Sequence, residues 1–192
     1  MNAAPTSTLV LAMAARAPDV TDSTNAFLYF FDGLSPVAVV STQKYNMSAD
    51  SWTSVMKVPS RRQAINAGAI EAMYGGAATV GTIIYAIGAA GNNPGPFSPT
   101  SAAYWGTNEA YQAMDGDTPY RGVADSWTTR VPMPVDPLLS RATIVASQGN
   151  RIFTFATNPP GTGGPAKVKN VNKYDTATDR WTSCAHGPRR PW

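Results

Sequence analysis

Apolar and polar positions along this chain alternate in short runs, and no stretch keeps the three-to-four-residue recurrence of a capped amphipathic helix. The strongest runs are Ala26-Phe27-Leu28-Tyr29-Phe30-Phe31, Thr82-Ile83-Ile84-Tyr85-Ala86-Ile87-Gly88 and Arg151-Ile152-Phe153-Thr154-Phe155-Ala156. Each is brief and rich in β-branched and aromatic residues, and each leads into turn-forming residues. That pattern predicts three strands. A fourth apolar run, Thr8 to Ala15, is followed by small residues as a signal peptide would be. It has no basic segment before it, Arg16 lies on its far side, and a strand over Leu9 to Ala14 is the reading that fits the rest of the chain.

A repeat organises these runs. Asp50-Ser51-Trp52-Thr53, Asp125-Ser126-Trp127-Thr128 and Asp179-Arg180-Trp181-Thr182 place three of the five tryptophans in one four-residue frame. Chance would produce this on the order of once in a million such chains at ordinary residue frequencies. Tyr45 precedes Trp52 by seven residues and Tyr174 precedes Trp181 by seven; between them lie Asn46-Met47-Ser48-Ala49-Asp50 and Asp175-Thr176-Ala177-Thr178-Asp179. The first residue of each linker can bond its own backbone in an Asx turn and the last Asp can accept a nearby N–H, so each segment reads as a Tyr strand, a turn and a Trp strand. In the middle copy Tyr111 stands sixteen residues before Trp127, which requires an insertion around 116–121.

Proline and then arginine follow each tryptophan: Pro59 with Arg61 and Arg62, Pro137 with Arg141, Pro188 with Arg189; Met13-Ala14-Ala15-Arg16 is a further copy without the proline. One unit is thus an Arg-led strand, an aromatic strand closing in glycine, a variable loop, a Tyr strand, an Asx turn and a Trp strand. Arginine-to-arginine spacings are 46 (Arg16 to Arg62), 79 (Arg62 to Arg141) and 48 (Arg141 to Arg189). Two of these lie near a period of about 50 residues, that of the kelch repeat.

These residues resemble the kelch repeat over roughly positions 8 to 192, best in Lys173-Tyr174-Asp175 through Arg180-Trp181-Thr182. The resemblance implies an all-β fold, a partial kelch-like β-propeller of about three four-stranded antiparallel blades (9–60, 61–136 and 137–192) set around a channel. The sequence departs from the family where its paired glycines are expected, with Asp32-Gly33, Gly88-Ala89 and Thr157-Asn158 instead. Closed propellers use at least about four blades. Three blades therefore imply a portion of a longer protein or completion by another chain, two copies making a six-bladed ring. The last residues, Pro188-Arg189-Arg190-Pro191-Trp192, stand where a new blade would start.

Composition narrows the chemistry. Charged residues are 14% of the chain, against about 25% in an average domain. Gly and Pro number 16 each, which suits short strands and many turns. The 15 basic and 12 acidic residues are scattered, with only Arg61-Arg62 and Arg189-Arg190 adjacent, so no nucleic-acid partner is expected. No apolar run is long enough to span a bilayer as a helix. Cys184 is the only cysteine and His186 the only histidine, so neither a disulfide nor a Cys/His metal site is expected, and no cofactor. Kelch-related copper oxidases need two histidines and a Tyr–Cys crosslink, which this chain cannot supply alone.

Asp50, Asp125 and Asp179 recur, and recurrence argues for a turn in every blade rather than a catalytic group present once. Trp52, Trp127 and Trp181 read likewise as packing between blades, and the arginines as links to a neighbouring blade or as channel groups for an acidic ligand. Gly75-Gly76 and Gly161-Thr162-Gly163-Gly164 lack the Gly-Lys-Ser/Thr of a phosphate loop. Insertions at 89–104, 112–124 and 158–167 are the sequence-distinct parts, and the first and third should project from one face. Phe97, Tyr104, Trp105, Tyr120 and Arg121, in or next to the first two, are of the types enriched at binding hot spots. The reading that follows is a non-enzymatic binding module, presenting loops to a protein partner or assembling with other chains. The alternatives are a portion of a kelch-type carbohydrate-active enzyme, a sialic-acid epimerase or an oxidase, and a structural part of a viral or cell-surface assembly.

Overall fold

A computed structural model describes residues 13–18, 25–31, 42–55, 64–66, 69–71, 76–88, 108–112, 114–115, 118–119, 126–134, 142–157 and 168–184. Among them the fold is all-β. Three four-stranded antiparallel sheets follow one another along the chain, each a meander with its strands in sequence order. Sheet 1 holds β1 (Met13–Pro18), β2 (Ala26–Phe31), β3 (Thr42–Asn46) and β4 (Ser51–Val55). A short ribbon of β5 (Ala64–Asn66) and β6 (Ala69–Glu71) comes next. Sheet 2 holds β7 (Gly76–Val80), β8 (Ile83–Ile87), β9 (Asn108–Gln112) and β12 (Ser126–Thr129). A second ribbon, β10 (Met114–Asp115) with β11 (Thr118–Pro119), is inserted before β12. Sheet 3 holds β13 (Ala142–Gln148), β14 (Arg151–Thr157), β15 (Val168–Asp175) and β16 (Arg180–Cys184).

The three runs of β-formers occupy the same place in each unit, as β2, β8 and β14. The apolar segment near the N-terminus is a strand from Met13; Leu9 to Ala12 lie outside the described residues. One expectation needs correcting. The first strand of sheet 2 begins at Gly76 and not directly after Arg61-Arg62, because the β5–β6 ribbon is interposed. The long middle spacing thus comes from insertions before the sheet as well as within it.

Turn chemistry sets the register of the first hairpins. Val80 pairs with Ile83 and Gln148 with Arg151, leaving two-residue loops that begin with Gly81 at φ +60° and Gly149 at φ +58°. A two-residue hairpin loop needs positive φ there, which glycine adopts without steric cost.

Side chains alternate across each strand, so each sheet has two faces, and neighbouring sheets bury one face each. Ala15, Phe27 and Tyr29 of sheet 1 form one cluster with Ile84, Ala86 and Tyr111 of sheet 2. The opposite face of sheet 2, through Ala78, Tyr85, Ile87 and Ala110, meets Ile152 and Tyr174 of sheet 3. Each large side chain buried this way contributes about 1.5–3 kcal/mol. The first strands also adjoin, with β7 between β1 and β13. Sheets stacked face to face with their first strands together are blade-like, consistent with a partial propeller.

Candidate functional site

Each Tyr and Trp of the repeat form a directly opposed cross-strand pair. Tyr45 faces Trp52, Tyr111 faces Trp127 and Tyr174 faces Trp181. Their ring centroids lie 4.9, 5.0 and 4.9 Å apart, within the range of favourable aromatic pairing. The insertion between Tyr111 and Trp127 leaves this pairing intact, so the three hairpins are equivalent despite unequal loops. A second aromatic contact joins consecutive sheets: Tyr29 packs on Tyr111 at 5.6 Å and Tyr85 on Tyr174 at 5.8 Å. Trp127 packs against the cluster between sheets 1 and 2, and Trp181 against that between sheets 2 and 3.

The turns are Asx turns. Asn46 Oδ1 accepts the N–H groups of Ser48 and Ala49 at 3.0 and 3.1 Å, and Asp175 Oδ1 accepts those of Ala177 and Thr178 at 3.0 and 3.2 Å. These amide donors hold the Asp175 carboxyl below the usual carboxylate range, the Thr178 N–H foremost. Asp50 and Asp179 close the turns at φ 47° and 52°, a left-handed conformation that Asp tolerates better than most residues.

The closing aspartates also accept the hydroxyl of the tyrosine that begins their own hairpin. Asp50 Oδ1 accepts the Tyr45 hydroxyl at 2.6 Å, and Asp179 Oδ1 accepts the Tyr174 hydroxyl at the same distance. Asp179 also accepts the backbone N–H of Val131 at 3.0 Å, from the segment leaving sheet 2. The Val131 carbonyl in turn accepts the Trp181 indole N–H at 2.8 Å and the Asn108 side-chain amide at 3.2 Å. Asn172 of sheet 3 donates to the Pro134 carbonyl at 3.3 Å. The Asp-x-Trp frame is therefore a clip: one hairpin grips the outgoing backbone of the sheet before it. Burial, with the bond to Asp179 adding to it, pushes the Tyr174 phenol well above its ordinary value of 10.0. Burial likewise raises Tyr85, with Arg130 opposing the shift. At Tyr45 the hydrogen bond to Asp50 is the leading cause of an upward shift.

Where the first strands adjoin, an open groove of about 500 Å³ is lined by Ala15 and Arg16 of β1, Ala77 to Thr79 of β7 with Gly81, and Val145 to Ser147 of β13. Small side chains let the three strands approach, and Thr79 Oγ1 donates to the Arg16 carbonyl at 2.6 Å across them. Arg16 is exposed and brings the only charge among the described lining residues. A single guanidinium with neighbouring hydroxyls can hold a carboxylate or similar anion weakly.

Phe97, Tyr104, Trp105, Tyr120 and Arg121 lie outside the described residues. The insertion carrying the last two is rooted at the Gln112–Ser126 pair, at the end of β9 and the start of β12. No group of three or more His, Cys, Asp or Glu side chains able to hold a metal occurs among the described residues. No helix in the described residues is long and apolar enough to cross a membrane. What sequence reasoning missed is the reach of Asp179 and Trp181 to Val131, whose backbone carries no residue-type signal.

Comparison with known proteins adds no family: no protein-family model matches the chain, and no curated protein matches it.

Proposed function

We propose that this chain is a kelch-like propeller segment acting as a protein-binding module, which presents its insertion loops to a partner or assembles with other chains. One observation carries the reading. The chemically capable groups of the third repeat are engaged in joining one sheet to the next: Asp179 and Trp181 bond the Val131 backbone and Tyr174 packs on Tyr85. A scaffold held rigid this way leaves recognition to the inserted segments, as in folds where loops on a fixed frame bind. Phe97, Tyr104, Trp105, Tyr120 and Arg121 supply the aromatic and guanidinium groups that make such loops adhesive.

The test is selection of a displayed peptide library on the immobilised full chain. Enriched peptides should share a consensus, and Phe97→Ala with Trp105→Ala should abolish their binding while leaving the unfolding transition unchanged. Failure to enrich any sequence, or binding indifferent to both substitutions, contradicts the loop assignment.

A further inference from the structure

The two inter-sheet junctions use the same pair of faces. Sheet 1 meets sheet 2 with the row Ala15–Tyr29–Lys44–Thr53, read across its four strands from the pairing register. Against this row, sheet 2 offers its Tyr–Trp face: Ile84, Ala86, Glu109, Tyr111 and Trp127. Sheet 2 repeats the relation towards sheet 3, where Tyr85 seats on Tyr174. Every sheet thus has a donor face, led by the aromatic of its second strand, and an acceptor face built on its Tyr–Trp pair.

Sheet 3 has an outer donor face of its own. Its row is Ala146–Phe153–Lys173–Thr182, the same succession of Ala, aromatic, Lys and Thr as in sheet 1. The surroundings differ. In sheet 1 the first three positions of the row are covered, with Ala15 8%, Tyr29 0% and Lys44 4% exposed, and only Thr53 at the outer strand is open. In sheet 3 Ala146 is exposed, and Phe153 and Lys173 are partly so. The adjacent row, Ile144–Phe155–Val171–Cys184, is apolar throughout, and Ile144 at its end is 61% exposed. Phe155, Val171 and Cys184 are partly exposed beside it, and a contiguous apolar row open to water along its length marks an interaction surface where single exposed apolar residues do not.

We infer that this outer face of sheet 3 docks the Tyr–Trp face of sheet 1 from a second copy of the chain. The inference rests on the propeller-segment reading, of which it specifies the assembling partner. Continuity with the two junctions inside the chain selects the occupant. Leu28, Phe30, Gln43, Tyr45 and Trp52 of sheet 1 occupy the registers that Ile84, Ala86, Glu109, Tyr111 and Trp127 fill at the first junction. Leu28, Phe30 and Trp52 are partly exposed at the rim of this face, around Gln43 and Tyr45, which are 4% and 5% exposed. Sheet 3 of each copy against sheet 1 of the other closes on a two-fold axis, since each chain contributes one face of each kind. The three four-stranded sheets among the described residues of each copy would together make six, inside the range of about four to eight blades that closed propellers use.

The experiment is the solution mass of the full chain by light scattering across a range of concentrations, with thiol labelling of Cys184. Cys184 sits in the apolar row and is the only cysteine, so it reports on this face alone. The expected mass is twice the 20.3 kDa of one chain, with Cys184 protected. Ile144→Lys should halve that mass and restore labelling, with the β-sheet circular dichroism retained because the position is already in water. Thr182→Arg, at another exposed position of the face, should do the same. A single-chain mass at every concentration overturns the inference, as does a dimer that both substitutions leave intact. Peptide binding through the insertion loops is read separately, so a monomer that still binds peptide defeats only the docking of copies.

Discussion

The indole N–H of Trp181 donates to the carbonyl of Val131 at 2.8 Å, fifty residues back along the chain and in the neighbouring sheet. This bond gives the recurring tryptophan a purpose that packing alone does not. The indole provides apolar area between sheets 2 and 3 and, at its edge, a donor for the carbonyl of Val131, a residue 45% exposed on the segment leaving sheet 2. Trp181→Phe keeps most of the ring and loses the donor. It should cost about 0.5–1.5 kcal/mol in urea unfolding. A cost near zero would mean that water replaces the indole without penalty.

Asp179 has two acceptor duties and an uncommon backbone conformation at once. Asp179→Asn preserves an acceptor oxygen and tolerance of positive φ, and should cost about 1 kcal/mol. Asp179→Ala removes both bonds and adds strain, for a loss of about 3 kcal/mol or more. Asp179→Gly relieves the strain but not the lost bonds, so it should fall between them. Equal costs for Asn and Ala would separate the clip from stability.

The two complete Asx turns differ in one atom type at their first residue, Asn46 in sheet 1 and Asp175 in sheet 3. The folded Asp175 carboxyl is held below its unfolded value. It therefore contributes stability that is present above the unfolded carboxylate range and is lost as the pH falls through the folded pKa. Asp175→Asn should leave stability at neutral pH almost unchanged and flatten this part of the acid limb. Acid denaturation profiles of the two proteins check it, and superimposable acid limbs would contradict it.

Tyr174 acts at the other end of the pH scale. Its folded pKa is raised, so its contribution is complete below the unfolded value of about 10 and is lost as the pH climbs from there through the folded value. Tyr174→Phe should lower stability at neutral pH by about 1.5–3 kcal/mol, the worth of a hydrogen bond to a charged acceptor. It should also make the protein less sensitive to alkali. Thermal unfolding followed between neutral and strongly alkaline pH measures both effects.

Gly81 and Gly149 open equivalent hairpins, and a Cβ at either would meet nothing within 4 Å. Alanine there is penalised by backbone conformation alone, by about 1–2 kcal/mol. Asn, which visits that conformation more readily, should cost less at both positions. A larger loss at one glycine than at the other would show that the two turns are not equivalent.

Much of this architecture is written locally. Tyr45 and Trp52, or Tyr174 and Trp181, stand seven apart because six residues suffice to turn between opposed positions, and Asn46 and Asp175 announce the turn by their own chemistry. Phe27 to Phe30 and Ile83 to Ile87 are strands by composition. The start of β7 was not legible. Gly76-Ala77-Ala78 has weak strand propensity and becomes a strand by fitting between β1 and β13, while the ribbon before it displaces the arginine that leads the other units. The clip on Val131 was equally hidden, because its acceptor is a backbone carbonyl brought near only by stacking of the sheets. The candidate binding side chains, from Phe97 to Arg121, rest on residue type alone, since insertions carry no periodicity from which a partner's shape can be read.

Hydrogen exchange of the backbone amides in the full chain probes the equivalence of the three sheets. The paired inner strands, 27–31 with 42–46, 83–87 with 108–112 and 151–156 with 170–175, should exchange slowest and lose protection together as denaturant is raised, with the Val131 amide following sheet 3. If one of these pairs exchanged at the rate of an open loop while the others stayed protected, the three hairpins would not be copies of one structural unit.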